Sequence, residues 1–209
     1  MIETRTINYT IPTSKKDIST KKWIEILKLH KQKIEDSEFY ERKMINIICE
    51  LSYKDIMSLP TQNYNEIVSY LNKIIGTKSE LTKTFKFKGV EYGLIPDFGN
   101  TLTLSERIDL DGYLENEEYS RLLSILYRPI THKDGDKYRI EPYESTHTLF
   151  DDLSYEILDG VLGFFLTIYH KLQKTILQYS VKELKRLKNL DSTSLDNLNS
   201  LINGVDGLN

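Results

Sequence analysis

The stretch from Tyr155 to Tyr179, "YEILDGVLGFFLTIYHKLQKTILQY", constrains this chain more than any other part of it. Ile157, Val161, Phe164, Ile168, Leu172 and Ile176 recur at helical spacing, with Leu158, Leu162, Phe165 and Tyr169 beside them. Around 161–169 the pattern is apolar on nearly every face, so this helix is expected to be central and buried. Gly160 and Gly163 leave room for a neighbouring element to approach closely. "SVKE" at 180–183 reads as a capping box, which predicts a kink or a new helix at Ser180. The run 161–169 falls far short of the roughly 20 apolar residues needed to cross a bilayer, so no membrane segment is expected.

A helix of that kind needs a core around it, and 209 residues suffice to build one. Hydrophobic residues make up 39% and charged residues 28%, the balance of a folded soluble protein. Alanine is absent, so helices here rest on Leu, Lys and Glu and on tertiary packing. The net charge is −3 and the pI about 5.9, so no global positive field draws nucleic acid. The single cysteine, Cys49, excludes an intramolecular disulfide and any multi-cysteine zinc site. "MIETRTINYTIP" lacks the apolar run of a signal peptide, and the chain is expected in the cytoplasm, or made there and then assembled.

Residues 4–11 alternate enough for a short strand closed by Pro12. Helices follow over 20–34 (Trp23, Ile26, Leu27, His30, Ile34), over 38–51 (Tyr40, Met44, Ile47, Ile48, Leu51) and over 62–75, with Gly76 as C-cap. Ser52 and Asp55 open a short turn between the last two. "TFKFKGVEYGLIP" (84–96) reads as a hairpin about Lys88-Gly89, although Lys-Gly is a weaker turn signal than Asn-Gly. "TLSE" (103–106) is a further capping box, opening a helix towards Tyr113, and another helix over 116–127 ends near Arg128-Pro129.

Two stretches invite a chemical reading. In 126–143, "LYRPITHKDGDKYRIEPY", calcium-loop register would put Ile130 and His132 where oxygen ligands are required, so that match fails. A hairpin with Asp-Gly at its tip explains the pattern, and Pro129 then predicts an edge strand. Over 97–118, Asp97, Glu106, Asp109, Asp111, Glu115, Glu117 and Glu118 stand against Arg107 alone. They could hold a divalent cation, but Asp109 and Asp111 diverge on a helix, which favours a solvated face or a docking patch.

His30, His132, His147 and His170 are scattered, without metal-binding spacing; His30 reads as a core histidine, and His147 could pair with Asp151 or cap a helix start. Cys49 reads as a buried small hydrophobe. Lys171, Lys174, Lys182, Lys185, Arg186 and Lys188 read as a solvated helix face rather than a nucleic-acid contact. No nucleophile elbow or phosphate loop occurs.

The middle of the chain resembles a group of tailed-phage proteins encoded near virion genes, notably in crAss-like and marine phages of Bacteroidetes. The likeness rests on Tyr92-Gly93-Leu94-Ile95-Pro96, Glu106 to Tyr113, Leu126 to Ile130 and Tyr138 to Tyr143, in that order. It covers roughly 84–170. It implies a virion-associated role, as a structural or cargo protein of the tail barrel beside portal and ring proteins, and carries no catalytic residues.

The expectation is therefore an α+β fold, predominantly α-helical, with a helical N-terminal cluster, a small antiparallel hairpin element and a long central C-terminal helix. Residues 1–190 are read as a single globular domain, helical over 1–80 and carrying hairpins and the long helix over 81–190. Residues 191–209, with Leu195, Leu198, Leu201 and Ile202, form a C-terminal arm. The expected role is a non-enzymatic phage virion protein of the tail or portal region, present in the host cytoplasm during assembly. Its partners are other virion proteins and further copies of itself, and nucleic acid is not expected among them. A tail-assembly chaperone and a metal-dependent enzyme are the alternatives. No catalytic, cofactor-binding or metal-ligating residue is assigned.

Overall fold

The computed structural model describes residues 7, 9–32, 36–144 and 149–186. The chain is α+β and predominantly helical, and it divides into two units, Met1–Gly160 and Val161–Asn209. Residues 7 and 9–11 are not strand. The expected strand over 4–11 has no partner at those positions, and its remaining residues lie outside the described ones.

The first unit opens with a 3₁₀ turn, Lys15–Asp17, followed by α1 (Thr20–Lys31), α2 (Ser37–Cys49), α3 (Tyr53–Met57) and α4 (Thr61–Ile75). Each of the first three helices has a side-chain N-cap, from Ser19, Asp36 and Ser52. Two first-turn N–H groups of α1 are satisfied from afar: Thr20 donates to the Leu153 carbonyl (2.7 Å) and Lys21 to that of Asp151 (2.9 Å). Ile26, Met44, Ile45, Ile48, Ile67 and Leu71 turn inward from α1, α2 and α4. His30 does not join them. It lies exposed in the last turn of α1, its ring edge-on to Tyr40 at 6.0 Å.

A four-stranded antiparallel sheet follows in the order β1-β2-β3-β4: Thr84–Phe87, Val90–Leu94, Tyr127–Asp134 and Lys137–Ile140. The β1–β2 loop is Lys88-Gly89 with φ of 49° and 85°, the doubly left-handed turn that matches strand twist. The β3–β4 loop is Gly135-Asp136, with Gly135 at φ 59°. Between the hairpins run α5 (Phe98–Thr101), α6 (Leu104–Glu115) and α7 (Tyr119–Leu126).

Pro129 sits in β3, an interior strand rather than the edge it was expected to mark. Its carbonyl accepts from Glu141 N–H (2.9 Å), and the reciprocal bond to the Glu141 carbonyl is the one a proline cannot donate, at the point where β4 ends at Ile140. The cost is confined to that single terminal rung. Under the sheet, Phe85, Tyr92, Tyr127 and Phe150 form an aromatic cluster, with Tyr92 edge-on to Phe150 at 5.1 Å.

The last element, α8, runs unbroken from Tyr155 to Arg186. No new helix starts at Ser180, because an exposed serine in a helical run gains more from the continuing backbone ladder than from capping a fresh one. Burial is confined largely to its beginning, at Tyr155, Ile157, Leu158, Gly160 and Val161. From 162 to 170 every described side chain is half-buried or exposed, contrary to the expected buried centre. A Cβ on Gly160 would lie 2.4 Å from the Glu80 carbonyl oxygen, so the close approach there is real, whereas Gly163 faces open space. Among the described residues, no helix is long and apolar enough to cross a membrane. The arm over 191–209 lies outside the described residues.

Candidate functional site

The ordered motifs of the middle segment converge on the outer face of the sheet, and the convergence begins with a helix cap. Thr103 accepts from Glu106 N–H (3.3 Å), while its own N–H and hydroxyl donate to one Glu106 carboxylate oxygen at 2.6 and 2.8 Å. The other carboxylate oxygen pairs with Arg128 Nη2 of β3 at 2.9 Å. Glu106 is 3% exposed and Arg128 13%, so one buried carboxylate both starts α6 and ties it to the sheet. One turn on, Asp109 accepts from the Tyr143 hydroxyl, which follows β4. Burial, reinforced by that carboxylate, pushes the Tyr143 phenol far above its ordinary value, so it remains a neutral donor.

Tyrosine hydroxyls tie both faces of the sheet to nearby backbone. The Tyr138 ring crosses Gly93, where a Cβ would meet it at 2.5 Å, and its hydroxyl donates to the Leu94 carbonyl at 2.8 Å. The Tyr127 hydroxyl donates to the Thr82 carbonyl at 2.6 Å. Burial pushes the Tyr127 phenol well up. Beside these contacts opens a cleft of about 410 Å³, lined by Ser124, Arg128, Pro129, Glu141, Tyr143 and Glu144 among others. Its polar groups come largely as closed pairs: Arg128 with Glu106, Tyr143 with Asp109, and the Ser124 hydroxyl on the Arg121 carbonyl at 2.6 Å. Such an arrangement holds a shape.

A second buried polar group lies at the start of α8. Lys15 is buried, pairs with Asp159 at 2.6 Å, donates to the Thr77 carbonyl and sits over the Tyr155 ring at 5.2 Å. Tyr155 donates to the other Asp159 oxygen at 3.0 Å and stacks on Trp23 at 4.0 Å between centroids. Burial works to raise the Asp159 pKa, but hydrogen bonds from Lys15 and Ser79, the Lys15 charge and the Tyr155 bond together hold it below the usual carboxylate range. The cluster ties the N-terminal segment to α8. Periodicity could not reveal it, since Lys15 lies in a polar turn and Asp159 is more than a hundred residues away.

The acidic stretch, expected as a solvated face or a docking patch, is solvated only in part. Glu106 and Asp109 are taken internally, Glu117 pairs with Lys31, and Glu118 pairs with Arg121 at 2.8 Å. Asp111 and Glu115 remain exposed. Only the fold supplies Lys31 and Arg128. His132, Asp134 and Asp136 are exposed on the β3–β4 hairpin, and His170 is half-buried on α8. Among the described residues, no group of three or more His, Cys, Asp or Glu side chains could hold a metal ion. Cys49 is buried, and burial pushes its thiol up to about 11, with Lys22 opposing. Lys171 and Lys182 are exposed and Lys174 half-buried; His147 and Lys188, and the side chains of Lys185 and Arg186, lie outside what is described.

No protein-family model, curated protein or solved structure matches this chain.

Proposed function

We propose that this chain is a non-enzymatic virion component of a tailed phage, structural or cargo, in the tail or portal region and acting through multi-copy protein–protein contacts. The likeness of 84–170 to proteins encoded beside virion genes supplies the phage context. The observation that carries the contact role is where apolar surface is left. Leu104 and Ile108 on α6, and Leu166, Tyr169, Ile176 and Tyr179 on α8, are all exposed large hydrophobic residues. Exposed apolar residues grouped on one helix suit a partner surface, whereas scattered single ones need no explanation. The polar residues of the motifs fit the same reading, since they bind one another and hold a shape.

The chain is then made in the host cytoplasm and carried into the particle with portal, ring or tail-barrel proteins. Mass spectrometry of purified virions tests this directly. Stoichiometric recovery with the tail proteins is expected. Abundance in the infected cell with absence from the particle would replace the reading with a tail-assembly chaperone.

A further inference from the structure

We infer that the cleft at the end of β4 receives a cationic side chain, arginine or lysine, from an extended segment of a protein partner. The cleft measures about 410 Å³, within the range in which proteins hold small ligands. What it offers is mostly acceptors. Ser124, 7% exposed, donates its hydroxyl proton to the Arg121 carbonyl at 2.6 Å, so its lone pairs are what remain. Glu141 and Glu144 are exposed carboxylates in the lining and can only accept. Arg128 is the one cation of the lining; its guanidinium pairs with Glu106 at 2.9 Å, and its Nε is enclosed where a ligand does not reach it.

Tyr92 is a second and independent sign. The residue is 6% exposed, yet among the described residues its hydroxyl neither has a hydrogen-bond partner nor is enclosed, so it opens towards the cleft that Tyr92 lines. A tyrosine this deeply buried ordinarily finds a partner for its hydroxyl within the fold. Here the partner comes from outside.

The field has the matching sign. Among the charged groups that line the cleft or pair with its lining, four carboxylates, Glu106, Asp109, Glu141 and Glu144, stand against Arg128. An anion would enter against that balance and a cation with it. Among the described residues no group of three or more His, Cys, Asp or Glu could hold a metal ion, which leaves an organic cation.

The sheet edge favours a peptide over a free small molecule. β4 is the last strand of the sheet, and its outer row of N–H and C=O groups has no neighbouring strand among the described residues. Glu141, Pro142 and Glu144 continue directly from it into the cleft lining. An extended segment laid along that edge gains backbone hydrogen bonds while one of its side chains turns into the cleft.

The inference deepens the contact role proposed above, on which it rests for the choice of a protein source, and each can fail alone. The full-length chain is titrated calorimetrically with blocked, glycine-flanked pentapeptides carrying arginine, lysine, norleucine or glutamate at the centre. The cationic peptides are expected to bind about tenfold tighter than the norleucine one, and the glutamate one not at all. Glu141→Gln together with Glu144→Gln should weaken the cationic peptides about tenfold. Tyr92→Phe should weaken them severalfold with an unchanged urea midpoint, since its hydroxyl bonds nothing within the described fold. Glu115→Gln, at an exposed carboxylate outside the lining, should leave binding as it was.

Cationic peptides that bind no better than norleucine overturn the inference, as does a glutamate peptide that binds tighter. So does binding that survives both the double glutamine variant and Tyr92→Phe. Free agmatine binding as tightly as the arginine peptide overturns the protein source. A chain recovered from virions that ignores the cationic peptides defeats the site alone. One that binds them but is absent from virions defeats the virion role alone.

Discussion

Glu106 joins two parts of this structure, because its carboxylate meets a helix start and a guanidinium at once. Removing its charge leaves Arg128 buried without compensation. Glu106→Gln is expected to cost about 3 kcal/mol in urea unfolding. Glu106→Leu combined with Arg128→Met should cost less than the Gln change alone, because neither charge is then stranded. Lys88 offers the opposite case: a lysine holding φ 49° in a turn that prefers asparagine. Its ion pair with Asp152 joins two exposed side chains and contributes little, so Lys88→Asn should stabilise by about 0.5 kcal/mol in thermal unfolding. Asp159 carries a pH dependence. Its folded pKa lies below the unfolded value near 3.8, so its contribution is complete above that value and is lost as pH falls through the lower folded one. The gap in urea midpoint between wild type and Asp159→Asn should therefore be constant near neutrality and close below about pH 4.

Among the elements, α6 and α8 give contrasting accounts of the same local signal. Both "TLSE" and "SVKE" spell a capping box, yet only the first is used. Thr103 follows a non-helical residue and has Glu106 turned back towards it, whereas Ser180 arrives with a helix already propagating. Thr103→Ala should accordingly cost about 1 kcal/mol, while Ser180→Ala should be neutral or gain a few tenths. A loss at Ser180 equal to that at Thr103, in paired melting curves, would show a helix start where α8 is continuous. Both hairpins were legible because turn residues act through their own φ angles. The position of β3 was not. An edge strand and an interior strand with proline at the last rung look identical until the neighbour's length is known.

For the whole molecule, Cys49 is a natural reporter. Buried among the N-terminal helices, with its thiol pushed up to about 11, it should react with a thiol reagent only when that cluster opens. Labelling is expected to be slow in native buffer and to accelerate with urea along the unfolding curve; fast native labelling would contradict the packed cluster. The sequence alone determined what depends on neighbours in the chain: the α+β, mostly helical class, the helix starts at Ser52 and Thr103, the two tight turns and the apolar periods of α1, α2 and α4. Tertiary structure decided what depends on distant partners. It paired Glu106 with Arg128 and Lys15 with Asp159, made β3 interior, left His30 in solvent and exposed the apolar stripe of α8. The reason is physical: periodicity records that a face is apolar, but which surface covers it, and whether a charge finds its counter-charge, is set only when segments far apart in the chain come together.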